Sequence, residues 1–159
     1  MALNLLLTRV DNRLIHGQVG ITWTSSLGAN LLVVVDDEVA SDSLQKQLMT
    51  MTAESSGVGI RFFTVDKTIE VINKASDSQK IFIVCKAPSV VKRLIDGGVP
   101  ITKLNIGNMH PSESKRQITK KVYVSEQEEE EIRYIASKGV EVFFQEVPEE
   151  PSYGISILG

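Results

Sequence analysis

Cysteine and histidine are scarce in this chain of 159 residues, which contains one cysteine, Cys85, and two histidines, His16 and His110. A single cysteine excludes an internal disulfide, and two histidines far apart in the sequence argue against a zinc site. Cys85 ends an apolar run, where cysteine usually serves as a small apolar filler. We therefore expect a reducing environment, no metal and no cofactor.

Long apolar runs and a strong charge of one sign are also missing. No run approaches the roughly 20 residues needed to span a bilayer, and the first residues lack the pattern of a signal peptide. The 17 Lys and Arg residues against 20 Asp and Glu give a formal net charge of -3, so binding to nucleic acid is not expected. P-loop, dinucleotide-binding, zinc-protease and serine-hydrolase motifs are absent. We expect a soluble, intracellular single domain over residues 1–159.

The chain instead contains a regular alternation of short apolar runs and amphipathic segments. Runs such as 31–35 and 80–85 have no polar alternation, which is typical of strands covered on both faces. Helical spacing over 17–27 and four later segments predicts helices between the strands. The alternation predicts an α/β fold, an open and mostly parallel twisted sheet of about seven strands with helices on both faces.

Two features of the predicted helices are specific enough to compare with a structure. The spacing of Leu44, Leu48 and Met51 predicts that they form the inner face of a helix capped by Asp42. Asp66 is the predicted N-cap of the next helix.

Two segments are predicted to contain little regular structure. The polar stretch 108–121 is long for a connection in a compact domain, and such loops are usually functional or mobile. Residues 148–159 are predicted to form a loosely ordered tail. The first segment is also basic, with Lys115, Arg116, Lys120 and Lys121.

The stretch 3–20 carries the most informative chemistry, because an apolar strand breaks into a loop holding Asp11, Arg13 and His16 before a helix begins. A neutral histidine nitrogen is a nucleophile near pH 7. An arginine and a helix N-terminus stabilise phosphate charge. We therefore predict that His16 handles a phosphoryl group, the alternative being a surface or capping histidine. Spacing alone does not assign roles to Asp11 or Gln18.

Four strings in the chain, VDNRLIHGQVGITW, VVVDDEVASD, IDGGVP and LNIGNMH, occur together in this order. They resemble the IIB component of the mannose, fructose and sorbose family of the bacterial phosphoenolpyruvate-dependent sugar phosphotransferase system. The resemblance covers nearly the whole chain, to about residue 148. The runs GANLLVVVDDEVA, VCKAP and GNMH are most similar to the branch that takes N-acetylgalactosamine or galactosamine.

The resemblance implies that His16 accepts a phosphoryl group, through its δ nitrogen, from a phosphohistidine of the IIA component. His16 then passes the group to a sugar bound by the membrane components IIC and IID, with Arg13 stabilising the phosphate and Asp11 supporting the loop. The chain would thus be a protein-phosphohistidine-sugar phosphotransferase, cytoplasmic and peripheral to the inner membrane through its partners. The candidate phosphate contacts are Asn12, Arg13, Gly17 and Gln18.

Candidate partner contacts lie within this loop or follow the fifth predicted strand, and they are Leu14, Ile15, Met109, His110 and the basic residues of 115–121. Ordinary loop packing or exposure is the alternative for each. Two other functions remain open from the residues alone. One is a sensor domain that binds a phosphorylated metabolite without covalent transfer, and the other is a hydrolase or isomerase with His16 as general base. The sequence predicts no oligomeric state.

Overall fold

The structure is a computed structural model that describes residues 3–17 and 19–159. Its strands are β1 (Leu5–Asp11), β2 (Leu31–Val35), β3 (Gly59–Phe63), β4 (Ile81–Cys85), β5 (Lys103–Asn108), β6 (Arg116–Thr119), β7 (Val122–Val124), β8 (Glu141–Phe144) and β9 (Tyr153–Gly154). The α-helices are α1 (Val19–Leu27), α2 (Ser43–Glu54), α3 (Val65–Val71), α4 (Pro88–Asp96) and α5 (Glu126–Ser137). Short 3₁₀ turns follow at Val39–Ser41, Ile72–Lys74 and Ile155–Leu158.

The main sheet has seven strands in the order β3-β2-β4-β1-β5-β8-β9. Neighbouring strands from β3 to β8 pair in parallel, and β9 pairs antiparallel with β8. Each parallel connection returns through a helix, as a crossover between parallel strands requires. The predicted open, mostly parallel α/β sheet is confirmed.

Helices cover both faces of the sheet, and the core is divided accordingly into two layers. On one face α1 and α2 pack against alternate residues of the central strands, among them Leu32 and Phe82. On the other face α3, α4 and α5 pack against residues such as Ile83 and Cys85. Every residue of β2 and β4 is buried because both faces are covered.

The helix ends follow from local side-chain chemistry. Asp42 accepts a hydrogen bond from the Gln45 backbone N–H at 3.1 Å and so caps α2. Ser125 and Glu128 form a reciprocal capping box at the start of α5. The predicted Asp66 cap is wrong: Thr64 caps α3 through its side chain, and Asp66 lies in the first turn.

The predicted inner face of α2 is also wrong. Leu44, Leu48 and Met51 are 64%, 57% and 61% exposed, whereas Met49 and Ala53 are buried. The helix therefore presents an apolar stripe to solvent and packs on the sheet through its other side. A helical period identifies a stripe without saying which stripe faces the core.

Two segments have more regular structure than expected. The stretch 108–121 contains β6, which pairs antiparallel with β7 in a two-stranded sheet. The predicted loose tail contains β9 and a 3₁₀ turn in which Leu158 is 3% exposed. Within residues 3–17 and 19–159, no helix is both long and apolar enough to cross a membrane.

The orientation of α2 gives a prediction on stability. Met49→Ala removes a buried side chain and should lower the free energy of unfolding by about 2–5 kcal/mol. Leu48→Ala, one position earlier on the exposed stripe, should change it by about 0.5 kcal/mol or less. Urea unfolding followed by circular dichroism measures both, and equal losses in the two variants would contradict this orientation of the helix.

Candidate functional site

The loop with Asp11, Arg13 and His16 lies where two neighbouring strands send their helices to opposite faces of the sheet. The chain leaves β1 toward α1 on one face and leaves β4 toward α4 on the other. Such divergence opens a crevice beyond the carboxyl ends of the strands, the usual ligand position in open α/β sheets. A cleft of about 330 Å³ lies at this edge, lined by Asn12, Lys86, Ala87, Met109, His110, Lys115 and Glu128.

Hydrogen bonds from the end of β1 fold the loop back on itself. The Asp11 carboxylate accepts from the Arg13 backbone N–H at 3.0 Å, and the Asp11 carbonyl accepts from the Leu14 N–H at 2.9 Å. The Asn12 N–H donates to the Asn108 carbonyl at 3.0 Å, which ties the loop to β5. The turn is therefore held by β1, the strand from which it leaves, and by the neighbouring strand β5.

Leu14 adopts a backbone conformation that is unusual for a residue with a side chain. Its φ is +59°, in the left-handed region that costs an L-residue roughly 1–2 kcal/mol. Its side chain is 2% exposed and packs with Ile15 and Trp23 in the core layer beneath α1 and α2. Burial of Leu14 and Ile15 thus anchors the loop and offsets the strain.

His16 stands beside Asp11 without being hydrogen-bonded to it. Its Nδ1 atom is 3.9 Å from Asp11 Oδ2, and its side chain is 23% exposed. Neither ring nitrogen has a hydrogen-bond partner in the part of the chain that the structure describes. No described residue therefore occupies either His16 ring nitrogen through a hydrogen bond.

The other predicted phosphate contacts differ in their surroundings. Arg13 is exposed, and its guanidinium makes no hydrogen bond or ion pair within 3–17 and 19–159. Asn12 is half-buried, and its Oδ1 has no partner among the described residues. Gly17 is exposed with a φ of +48°, a conformation that favours glycine. Gln18 lies outside the described residues.

A second arginine, which the sequence analysis missed, lies behind the loop. Arg9 is 1% exposed, and its Nη2 donates to Asp11 Oδ2 at 3.1 Å. Its Nη1 donates to Asn105 Oδ1 and to the Gln145 carbonyl, and its guanidinium carbon lies 5.4 Å from the centroid of the Trp23 ring. Burial lowers the pKa of Arg9, and Asp11 opposes that shift.

A signal for Arg9 was present in the sequence, because it is the one charged residue in the string LLLTRV ahead of Asp11. A cation inside a strand that is otherwise buried requires a buried partner. Two lysines also line the cleft, of which Lys86 was missed and Lys115 belongs to the basic segment named as a candidate partner contact. Lys86 Nζ lies 3.7 Å from Asp36 Oδ2, and Lys115 Nζ lies 3.2 Å from Glu128 Oε1.

The candidate partner contacts divide into buried and exposed residues. Leu14, Ile15 and Met109 are buried, which favours the packing alternative for these three in the isolated chain. Met109 joins the main sheet to the hairpin, since its N–H donates to the Lys121 carbonyl and its carbonyl accepts from the Tyr123 N–H. His110 is exposed at the cleft. In the described ranges, no group of three or more His, Cys, Asp or Glu residues is arranged to hold a metal ion.

Comparison with known proteins adds independent evidence to this geometry. A family model described as "PTS system sorbose subfamily IIB component" matches residues 5–157. The N-acetylgalactosamine-specific phosphotransferase enzyme IIB component 1 of Escherichia coli K12 is 59% identical over 145 residues, which are 91% of this chain and 92% of that protein.

A relative with a longer chain matches less closely. The mannose-specific EIIAB component of Escherichia coli K12 is 36% identical over 91% of this chain, which spans 45% of that protein. Among solved structures, the crystal structure of the N-acetylgalactosamine-specific IIB component 1 from Escherichia coli superposes with a TM-score of 0.94 at 56% identity. The superposition covers 96% of this chain and 99% of that one.

Proposed function

Because the chain belongs to the sorbose subfamily of phosphotransferase-system IIB components, a family of phosphotransferase enzymes, we propose that it carries a phosphoryl group on His16 during sugar uptake. The observation that carries this proposal is one loop at the crevice of the sheet, in which the His16 ring nitrogens have no hydrogen-bond partner and the exposed Arg13 guanidinium has no ion pair among the described residues. His16 is the nucleophile, and Arg13 is the residue that neutralises the phosphoryl oxygens.

The proposed reaction consists of two transfers through the same nitrogen. In the first, the lone pair of a His16 ring nitrogen, the δ nitrogen by resemblance to the family, attacks the phosphorus of a phosphohistidine. The new N–P bond forms as the donor N–P bond breaks, and the donor imidazole leaves. In the second, a sugar hydroxyl oxygen attacks the phosphorus, the His16 N–P bond breaks and the hydroxyl proton is released.

Arg13 suits the charge that these transfers develop. The phosphoryl group spreads negative charge over three oxygens, and catalysis consists mainly of positioning and electrostatic stabilisation. The Asp11 carboxylate accepts a hydrogen bond from the Arg13 backbone N–H at 3.0 Å, while no described residue engages the guanidinium, which would bind the phosphoryl oxygens. Gly17, Asn12 and Gln18 are the further candidates for contacts to those oxygens.

The proposed partners are those of a carrier between two other components. A phosphohistidine-bearing IIA component supplies the group, in line with the relative whose name joins EIIA and EIIB in one component. Membrane components IIC and IID present the sugar, which would place the chain in the cytoplasm at the inner membrane. His110 and Lys115, at the cleft beside the loop, are the proposed polar contacts to these partners.

The histidine assignment has a direct test. Incubation with phosphoenolpyruvate and the upstream carrier proteins should add one acid-labile, base-stable phosphate to the chain, and His16→Gln should abolish it. His110→Gln removes the only other histidine and should still acquire the phosphate. Intact-protein mass spectrometry measures the gain. Retained labelling in the His16 variant would contradict the proposal, and binding of a sugar phosphate without any labelling would favour the sensor alternative.

The role of Arg13 predicts a loss of rate without a loss of fold. Arg13→Gln removes a charge-assisted contact worth roughly 1.5–3 kcal/mol, so the rate of phosphoryl transfer from the donor should fall about 10- to 100-fold. Arg61→Gln is the matched control because Arg61 is exposed on the edge strand β3, which two strands separate from β1. Quench-flow with a radiolabelled donor measures both rates, and equal rates in the two variants would exclude Arg13 from the transfer.

The sugar proposed for the complete system is N-acetylgalactosamine or galactosamine, because two relatives named for N-acetylgalactosamine are 59% and 46% identical to this chain. Membrane vesicles with an N-acetylgalactosamine-specific IIC and IID pair should phosphorylate that sugar when this chain is added. Vesicles with a mannose-specific pair serve as the control and should respond less. A stronger response of the mannose-specific vesicles would contradict the assignment.

A further inference from the structure

We infer that Arg9 is a positioning residue for phosphoryl transfer, because it neutralises and orients the Asp11 carboxylate that faces His16. The inference rests on the proposed function and extends it to a residue that touches neither the phosphoryl group nor a partner. Arg9 is 1% exposed and Asp11 is 1% exposed, so any effect of Arg9 on the reaction passes through the protein interior.

The charge arrangement explains why such a residue is needed. Asp11 Oδ2 lies 3.9 Å from His16 Nδ1, and a phosphoryl group on that ring brings about two negative charges toward a buried carboxylate. Like charges in a poorly solvated site repel strongly. Arg9 Nη2 donates to the same Oδ2 atom at 3.1 Å and so cancels the carboxylate charge at the atom nearest the ring.

The same contact also orients Asp11. With Oδ2 engaged by Arg9, Oδ1 is left to accept the Arg13 backbone N–H at 3.0 Å. One carboxylate therefore joins the buried arginine to the backbone of the exposed one. Loss of the Arg9 contact would free Asp11 to rotate, and both the loop and the surroundings of His16 would change.

The fold holds Arg9 in one position from several elements. Asn105 of β5 and the Gln145 carbonyl after β8 accept from its guanidinium, and the Trp23 ring of α1 lies 5.4 Å from its central carbon. Gly107 of β5 completes the enclosure, because a Cβ atom at that position would overlap the guanidinium. This glycine has no positive φ, so the close approach of Arg9 is the reason for the missing side chain.

The test compares the equilibrium between the phosphorylated donor and the phosphorylated chain in four proteins. Arg9→Met leaves the carboxylate uncompensated and should shift the equilibrium roughly 10- to 100-fold away from the phosphorylated chain, the size expected for the loss of one charge-assisted hydrogen bond. Asp11→Asn leaves the cation and should shift it in the opposite direction. The double variant R9M/D11N removes both charges and should lie near the wild-type chain.

Charge compensation predicts that the two single variants shift the equilibrium in opposite directions. A simple loss of structure would instead shift the equilibrium away from the phosphorylated chain in both variants. The inference is overturned if Arg9→Met matches the wild-type equilibrium, or if the double variant is no better than Arg9→Met. A wild-type chain that is never labelled, or one labelled without His16, would instead refute the proposed function itself.

Two further proteins keep the test independent of stability. Ile132→Ala removes a fully buried side chain of α5 on the face opposite α1. It should lower the melting temperature and leave the equilibrium of the folded fraction unchanged. Arg9→Lys keeps the positive charge with a smaller donor group. Its equilibrium with the phosphorylated donor should lie between those of the wild-type chain and Arg9→Met. If Arg9→Met does not fold, the Arg9→Lys variant and the double variant still test the inference. An Arg9→Lys variant that folds as well as the wild-type chain, but whose equilibrium is shifted away from the phosphorylated chain by the full change of roughly 10- to 100-fold expected for Arg9→Met, would count against charge compensation.

Discussion

The ion pair between Arg9 and Asp11 is the interaction on which the candidate site depends. Both side chains are buried at the end of the central strand β1, and both charges are satisfied there by further hydrogen bonds. Removal of one member of such a pair typically costs about 3–5 kcal/mol, because the other charge is left buried and unpaired. The geometry of the loop is therefore coupled to the stability of the sheet.

The ion pair explains how a loop becomes a defined site. Loops are usually less constrained than the elements that they connect, but this one is held at three levels. The Asp11 carboxylate accepts a hydrogen bond from the backbone N–H of Arg13, and the Asn12 N–H donates to a carbonyl of β5. The side chains of Leu14 and Ile15 are buried in the core layer. Arg13, Gly17 and part of the His16 ring remain exposed after this anchoring.

Local signals predicted the architecture well, and longer-range contacts explain the errors. Apolar runs such as 31–35 identified the strands because strands buried on both faces need no polar alternation. The face of α2 was wrong because Leu44, Leu48 and Met51 form a stripe of helical period, as the buried pair Met49 and Ala53 also does. Only packing on the sheet distinguishes the two stripes.

The candidate site was predictable as far as its residues are neighbours in sequence. Asp11, Arg13 and His16 fall in one loop, so their proximity required no knowledge of the fold. Arg9 was missed because its role depends on Asn105 and Gln145, which the parallel pairing of β1, β5 and β8 brings together. Residues 122–124 were predicted as a strand, but β6 and its pairing with β7 were missed for the same reason, since Met109 joins the hairpin to the main sheet.

The division between buried and exposed charge suits a carrier that serves two partners in succession. In the proposed reaction, a group that leaves His16 as readily as it arrives would gain little from contacts that only one partner supplies. The compensation of Asp11 is internal to the chain, because Arg9 is enclosed by Asn105, Gly107 and Trp23, so it would be the same in both of the proposed complexes. In the proposed function, the exposed Arg13 would contact the phosphoryl group in either transfer. The buried Arg9 would keep the site unchanged between partners, and the exposed Arg13 would act on the group that moves.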